Sequence, residues 1–290
     1  MKILLTGGRG MLGRTLTAEL KDFDVIPTDL PEVDITDPVS LEKALNQYCP
    51  DAVIHCAAMT AVDKCESEPA LAYKLNEYGT ANVAKACAAK NIRLIAISTD
   101  YVFDGDSDTP YSELDKATGG NTVYGKSKFA GEEAVRKYCP NHIIARISWL
   151  YGAGGPSFVH TMLKLADGTR SELKVVADQI GNPTSTLAVA RKLRELLNSP
   201  ELTGTFHLTC EGACSWAEFA VEIFKLANRQ QKVVFCTTEE FPRPAPRPKN
   251  SRLQKLMLQQ HGFTPMPDWR DALKEFIQSE FSGSNQSCSE

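Results

Sequence analysis

Short apolar runs alternate with longer amphipathic stretches along the first half of the chain. The apolar runs have the length of buried strands, and the longer stretches carry apolar residues at helical spacing. This pattern predicts strands at 2–6, 24–29, 52–56, 94–98 and 142–146, and helices at 11–20, 40–48, 69–90 and 122–138. Strands that alternate with helices indicate parallel β-α-β units, so we expect an α/β fold built on a doubly wound parallel sheet of the Rossmann type.

The regularity weakens after Trp149, which indicates a second and smaller α/β domain. Helices are predicted at 157–166, 186–197, 216–227 and 269–281, and strands at 173–176 and 205–209. Four prolines within 241–248 predict an extended loop, because proline fixes φ and lacks a backbone donor. We expect residues 1–148 to form a dinucleotide-binding domain to which 170–208 return, 149–169 and 209–281 to form the second domain, and 282–290 to be disordered.

Composition and charge argue against two classes of partner. Hydrophobic residues make up 42% of the 290 positions, charged residues make up 23%, and the net charge is −4. A nucleic-acid surface needs a basic excess, so no nucleic-acid partner is expected. No apolar run reaches the roughly 18 residues of a membrane span, and the apolar start of the chain is too short for a signal peptide. We therefore expect a cytoplasmic protein with no membrane partner.

Nine cysteines are scattered along the chain without a C-x-x-C pair. Cys210 and Cys214 are the closest in sequence, but no histidine or second pair completes a zinc site near them. Reduced and mostly buried thiols are the expectation, which agrees with a reducing compartment.

A glycine-rich turn follows the first predicted strand and opens the first predicted helix. Gly7, Gly10 and Gly13 form a G-x-x-G-x-x-G pattern, with Met11 and Leu12 at the start of the helix. Glycines in this setting allow a tight turn and a close approach of the backbone to a pyrophosphate, which then lies at the positive end of the helix. The turn predicts a bound dinucleotide.

Two charged residues point to different dinucleotides. Asp29 ends the second strand, 16 residues after Gly13, where an acid accepts hydrogen bonds from the adenosine ribose and favours NAD(H). Arg9, inside the turn, could instead meet a 2′-phosphate and favour NADP(H). The sequence leaves NADH and NADPH both open. Further cofactor contacts are predicted from residues that follow the second and third strands: Asp34, Ile35, Ala57, Ala58 and Met59.

Tyr124 and Lys128 lie four residues apart on the predicted helix 122–138 and therefore share one face. An ammonium near a phenol favours the phenolate and is expected to lower its pKa from about 10. The spacing alone is also typical of a surface pair. Beside a dinucleotide turn, it indicates hydride transfer to or from a carbonyl.

Eight segments match one family in order along the chain. They are 55–66, 76–82, 98–105, 124–132, 146–152, 178–184, 215–220 and 247–253. With them the chain resembles the extended short-chain dehydrogenase/reductases from Met1 to about Phe281. It is most similar to the branch that reduces the 4-keto group of dTDP-4-dehydro-L-rhamnose to dTDP-L-rhamnose with NADPH or NADH.

The resemblance implies roles for particular residues. Thr99, Tyr124 and Lys128 would be catalytic, and Asn76, Tyr124 and Lys128 would contact the cofactor. The sugar nucleotide would meet Thr60, Thr99, Asp100, Tyr101, Trp149 and Arg247. Some members bind Mg²⁺ at a dimer interface through glutamates, but residues 13–16 carry no acid, so no metal is expected.

Other interpretations stay open at this stage. The same fold carries out epimerisation and dehydration of nucleotide sugars, and a non-catalytic NADP-binding regulatory subunit has kept it too. A homodimer is compatible with the resemblance.

Overall fold

The computed structural model describes residues 1–281, and the predicted disorder of 282–290 lies outside them. Its centre is a six-stranded, fully parallel sheet in the order β2-β1-β3-β4-β5-β10. These strands are β1 (Lys2–Thr6), β2 (Asp24–Thr28), β3 (Ala52–His55), β4 (Arg93–Thr99), β5 (His142–Ile147) and β10 (Gly204–His207). The order reverses at β1, so the ends of β1 and β3 border a crevice of the kind that binds ligands in open α/β sheets. The predicted α/β class with a parallel central sheet is confirmed.

Helices cover both faces of this sheet, which explains why its strands are continuously apolar. In β1, Ile3 and Leu5 pack into the hydrophobic core on one face, together with Leu16, and Leu4 packs into the core on the other face, together with Leu45. The helices of this part are α1 (Met11–Glu19), α2 (Pro38–Tyr48), α3 (Val62–Ser67), α4 (Pro69–Tyr73), α5 (Thr80–Ala89), α6 (Val123–Tyr138) and α8 (Thr186–Leu197).

Helix α2 begins earlier than its sequence pattern predicts. The Asp37 carboxylate accepts the Val39 N–H at 2.9 Å, and Pro38 occupies the first helical position, which proline favours. Ser40, where the helix was predicted to begin, accepts the N–H of Asp34 at 3.0 Å. Residues 34–40 are thereby tied into one turn beside the end of β2.

The single helix predicted over 69–90 is interrupted. Between α4 and α5, residues Lys74–Gly79 form a π-helical turn that contains the fully buried Asn76. Such π turns are frequent at functional sites. The short helix α3 before it was not predicted.

The remaining elements surround the far end of the sheet. They are β6 (Leu150–Tyr151), α7 (Phe158–Leu165), β7 (Glu172–Val176), β8 (Ile180–Gly181), β9 (Thr184–Ser185), β11 (Cys214–Ser215), α9 (Trp216–Leu226), β12 (Lys232–Cys236), β13 (Asn250–Ser251), α10 (Leu256–Gln260) and α11 (Trp269–Phe281). Strand β7 pairs with β12, which was not predicted, and β10 joins the large sheet. Residues 170–208 were predicted to return to the first domain. Of the strands in this segment, β10 belongs to the large sheet and β7 does not. The domain boundaries themselves stay a prediction.

Two observations concern the described residues as a whole. None of the helices within residues 1–281 is both long enough and apolar enough to cross a membrane. The eight cysteines in this part of the chain are all free thiols.

Candidate active site

A cavity of about 390 Å³ opens at the carboxyl ends of β1, β3 and β4. It brings together most of the residues predicted to hold a dinucleotide. We call it the first cavity. The predicted residues that line it are Gly7, Gly10, Met11, Leu12, Gly13, Asp29, Asp34, Ile35, Ala57, Ala58, Thr60, Tyr124 and Lys128.

The glycine turn is packed too closely for side chains at two of its positions. Gly7 has φ +73°, and a Cβ there would lie 2.6 Å from the backbone nitrogen of Ala57. A Cβ on Gly13 would lie 2.7 Å from the Gly8 Cα and still closer to the Gly7 oxygen. These contacts draw the turn, β3 and α1 together at one wall of the first cavity.

The beginning of α1 offers an anion site within that wall. Gly10 is the N-cap and makes no side-chain hydrogen bond, and the first turn of α1 holds no acid. The first N–H groups of a helix lack intrahelical partners and carry partial positive charge, so they favour a phosphate. A narrow glycine turn leading into such a helix fits the pyrophosphate of a dinucleotide.

Tyr124 and Lys128 face this cavity from α6. Thr122 caps the helix by accepting the Gly125 N–H at 2.9 Å, and a Cβ on Gly125 would lie 2.6 Å from the Gly119 oxygen. The helix therefore lies close against the preceding loop. Lys128 Nζ donates to the Ile97 carbonyl on β4 at 2.8 Å, which fixes the ammonium against the sheet.

The pKa of the Tyr124 phenol is raised, and the predicted depression is wrong for this structure. Burial is the largest cause, and the nearby Asp100 and Cys65 add to it, while a hydrogen bond with Thr99 opposes it. Burial also lowers the pKa of Lys128 to about 8, against the favourable charge of Glu132. The helical spacing correctly placed Tyr124 and Lys128 on one face of the helix. The loss of solvent around the phenol, however, outweighs the lowering of its pKa that was expected from the ammonium. The phenol is consequently protonated at neutral pH.

Thr99 and Asp100 lie at the end of β4 next to this phenol, and both are about 95% buried. The Thr99 hydroxyl donates to Asp100 Oδ1 at 3.0 Å. Burial raises the pKa of Asp100 to about 6. Neither residue lines the first cavity; they form a polar layer beside Tyr124.

Glu132 anchors α6 to two strands. Its carboxylate accepts Ser98 Oγ on β4 at 2.6 Å and two nitrogens of Arg146 on β5 at 2.9 and 2.7 Å. Burial alone would raise its pKa, but the two hydrogen-bonded partners and the charge of Arg136 hold it below the usual value. Sequence reasoning quoted Glu132 only as part of a motif, and its i+4 position from Lys128 marks it as a buried residue on the same face.

A second cavity of about 450 Å³ lies beside the first, against the proline-rich loop. Tyr101 lines it and stands edge-on to Tyr124, with ring centroids 5.4 Å apart, so the tyrosine pair joins the two cavities. Its polar and aromatic lining includes Asp63, Tyr101, Phe158, Lys174, Gln179, Trp216, Phe241, Arg243 and Arg247.

Arg247 was predicted to contact the substrate, and it lines the second cavity. It donates to Asp63 Oδ1 at 2.9 Å and to the Ala245 carbonyl at 2.9 Å. Burial acts to raise the pKa of Asp63, but the Ala245 N–H and Arg247 together hold it below the usual value. The carboxylate on α3 thus positions the arginine of a distant loop.

Six predicted contact residues line neither cavity, and two of them, Thr99 and Asp100, are described above. Asn76 accepts the Met59 N–H at 2.8 Å and donates to the Met59 carbonyl at 3.0 Å, which fixes the backbone after β3. Arg9 extends to the protein surface beside Asp29. Trp149 stacks on Trp216 with ring centroids 3.5 Å apart, so it meets a residue of the second cavity. Direct ligand contacts of Asn76, Met59, Arg9 and Trp149 remain predictions.

Several lining residues were missed by sequence reasoning. Lys174 occupies an exposed position between Leu173 and Val175 in β7, and this alternation is the one local signal that could have suggested an outward cation. Phe158, Trp216 and Cys56 carry no comparable signal. Their sequence positions are typical of core residues, and only the folded structure brings them to the cavities.

Comparison with known proteins agrees with this geometry. The family model described as "RmlD substrate binding domain" matches residues 1–281. The spore coat polysaccharide biosynthesis protein SpsK of Bacillus subtilis is 40% identical, with 97% of this chain and 98% of SpsK covered.

Two solved structures are also similar. A dTDP-4-dehydrorhamnose reductase of Clostridium acetobutylicum has TM-score 0.93 and 47% identity over 96% of this chain and 99% of its own. The Bacillus anthracis dTDP-4-dehydrorhamnose reductase in complex with NADP has TM-score 0.93 and 41% identity, with the same coverage of both chains. The match over nearly the full length of each relative, together with the arrangement of the two cavities, places the chain in a family: it belongs to the RmlD substrate binding domain family.

Proposed function

We propose that the protein reduces the 4-keto group of dTDP-4-dehydro-L-rhamnose to dTDP-L-rhamnose, with NADPH or NADH as the reductant. The observation that carries this proposal is the position of Tyr124 and Lys128 in the same cavity as the glycine turn. The names of the similar reductases support the choice of substrate. The cytoplasm is the proposed location, a homodimer remains compatible, and no nucleic-acid partner is proposed.

In this proposal the first cavity holds the dinucleotide. The N–H groups at the start of α1 would bind the pyrophosphate, Asp29 the adenosine ribose, and Lys128 the nicotinamide ribose. Lys128 Nζ donates one of its three hydrogens to the Ile97 carbonyl, and the other two can be donated to a ligand. The reduced nicotinamide, when bound, supplies the hydride for C4 of the sugar.

Tyr124 delivers the proton in this mechanism. Its raised pKa keeps the phenol protonated at neutral pH, so it can donate to the oxygen of C4 as negative charge develops there. Thr99, hydrogen-bonded to Tyr124, could donate to that oxygen only by turning its single O–H away from Asp100 Oδ1. Lys128, one helical turn away, places positive charge on the face where the phenolate forms.

The second cavity suits the nucleotide part of the substrate. Three cations, Lys174, Arg243 and Arg247, line it together with aromatic rings. Arginine binds phosphate oxygens through paired, charge-assisted hydrogen bonds, and aromatic faces accept a base by stacking. A sugar that bridges from this cavity past Tyr101 reaches Tyr124.

The decisive experiment combines purified protein, dTDP-4-dehydro-L-rhamnose and either NADPH or NADH, followed by nicotinamide absorbance. We expect net oxidation of the cofactor in equal amount to the sugar product. Tyr124→Phe should lose about 10²- to 10⁴-fold in kcat, the range for a general acid, and should bind NADPH within about twofold of the unmodified protein, because only the hydroxyl is removed.

Tyr78→Phe is the matched control, because Tyr78 is 61% exposed on the π-helical turn and lines neither cavity. It should retain full activity. An epimerase or dehydratase would convert a nucleotide sugar without net cofactor oxidation. A regulatory subunit would show no turnover and retrieve a stoichiometric partner. Either result would overturn the proposal.

A further inference from the structure

Three charged side chains meet where the first cavity borders a neighbouring one of about 380 Å³. Asp29 lines both cavities, whereas Arg9 and Glu32 line only the neighbouring one. We call Arg9, Asp29 and Glu32 the ribose rim, because an acid at the end of the second strand of this fold meets the adenosine ribose. Whatever distinguishes a 2′-hydroxyl from a 2′-phosphate has to act here.

The Asp29 carboxylate already accepts two hydrogen bonds within the rim. Its carboxylate accepts the backbone N–H of Arg9 at 3.2 Å and that of Leu30 at 3.0 Å. A carboxylate offers about four acceptor sites, so it can still accept a ribose hydroxyl. Toward a 2′-phosphate it offers no donor, only negative charge.

Arg9 is the cation that could meet a 2′-phosphate, but its guanidinium is held by other groups. One terminal nitrogen donates to Glu32 Oε1 at 2.5 Å, and the other donates to the Leu30 carbonyl at 2.7 Å. A bidentate phosphate contact needs the paired donors of the guanidinium. Two of the five guanidinium donors are engaged in this way, so a 2′-phosphate would share Arg9 with the Glu32 carboxylate and would lie close to its negative charge.

The charges around the rim offer a 2′-phosphate no net attraction. The neighbouring cavity is lined by Arg9 and Arg14 on the positive side and by Asp29 and Glu32 on the negative side, so the four formal charges cancel. Arg14 gives one of its five donors, Nε, to the Arg9 carbonyl at 2.8 Å. A 2′-hydroxyl is neutral and needs neither arginine.

We propose that Glu32 is a specificity-determining residue that lowers the affinity for NADPH relative to NADH, because its carboxylate competes for Arg9 and places negative charge beside the 2′-phosphate. This inference rests on the proposed use of a nicotinamide cofactor in the first cavity. The effect is moderate, because Arg9 and Glu32 are 61% and 49% exposed and solvent screens their attraction. Glu32→Gln replaces the charged partner of Arg9 with a neutral amide and removes a negative charge near the phosphate, so we expect a gain of about three- to tenfold for NADPH.

The test is calorimetric titration of the intact protein with NADPH and with NADH, before and after Glu32→Gln. The dissociation constant for NADPH should fall about three- to tenfold, while that for NADH changes less than about twofold. Adding Arg9→Gln to Glu32→Gln should abolish the gain. An unchanged constant for NADPH, or an equal gain for both cofactors, overturns the inference.

Glu172→Gln is the matched control. Glu172 also forms an exposed ion pair, with Lys232 at 3.0 Å, and its loss changes the net charge by the same amount at a site away from the rim. It should leave both dissociation constants unchanged, and a gain equal to that of Glu32→Gln would overturn the inference.

Because the readout is binding, a failure to reduce the sugar would overturn only the proposed function. If neither cofactor binds, both proposals fail.

Discussion

Asp100 is a buried carboxyl beside the proposed proton donor, and its ionisation links the stability of the site to pH. Burial raises its pKa to about 6 from the usual 3.8, so the folded protein binds this proton more tightly than the unfolded chain does. Stability from this group is present at low pH and is lost as the pH rises through about 6. The same carboxylate, once charged, helps keep Tyr124 protonated.

We therefore expect Asp100→Asn to flatten one part of the pH dependence of unfolding. Between pH 5 and pH 8, the unmodified protein should lose roughly 1 kcal/mol more of unfolding free energy than the variant, because its Asp100 pKa is raised from 3.8 to about 6. Urea unfolding at both pH values measures the difference. The exposed Asp106→Asn serves as the control and should follow the unmodified protein. Parallel behaviour of Asp100→Asn and the unmodified protein would contradict the assigned pKa.

At the residue scale, the sequence predicted which residues lie in the site better than it predicted their pKa shifts and ion-pair partners. The i+4 spacing placed Tyr124 and Lys128 on one face, and the structure has both lining one cavity. It could not give the sign of the Tyr124 pKa shift, because burial by Tyr101, Met59 and their neighbours is a property of the folded chain. The Glu32 partner of Arg9 was missed for the same reason, since 23 residues separate the two.

At the scale of elements, the glycine turn and α1 act as one unit whose geometry depends on Gly13. Ala at position 13 would push a methyl group against the Gly7 oxygen and the Gly8 Cα, both of which are backbone and cannot rotate away. We expect Gly13→Ala to lower the free energy of unfolding by roughly 1–3 kcal/mol, as overpacking does elsewhere. The urea midpoint, compared at constant slope, measures this change.

Gly10→Ala is the matched control within the same turn. A Cβ at Gly10 would lie 3.2 Å from the Gly7 oxygen, and the residue has φ −71°, which any residue adopts. Its cost should be smaller than that of Gly13→Ala, at less than about 1 kcal/mol. Equal losses for the two variants would show that close packing at Gly13 is not the cause.

Elements with strong local determinants were predicted to the residue, and those that depend on tertiary contacts were not. Helix α8 and helix α11 follow their apolar spacing and begin where predicted. The π-helical turn could not be predicted, because Asn76 is drawn inward by the Met59 backbone and by Ser127 on α6. Strand β12 was missed because its partner β7 is 60 residues away in register, Lys232 facing Glu172.

At the scale of the whole molecule, the second cavity is the feature that the sequence predicted least well. Its lining comes from α3, α7, β7, α9 and the proline-rich loop, which no local pattern brings together. Arg247 was predicted through a family motif, and the structure adds the carboxylate of Asp63 that positions it across the molecule. This division into two cavities implies that cofactor and sugar-nucleotide affinity can be changed separately.

Arg247→Gln tests that division. The guanidinium gives donors to Asp63 and Ala245 and has five in all, so some remain for a diphosphate in the second cavity. Loss of a charge-assisted hydrogen bond should raise the KM for the sugar nucleotide about tenfold or more, whereas the dissociation constant for NADPH should stay within about twofold, because Arg247 does not line the first cavity. Arg191→Gln, which breaks an exposed pair with Glu275 at 2.7 Å, is the control and should change neither quantity. A parallel rise of both constants in Arg247→Gln would mean that the two cavities act as one site.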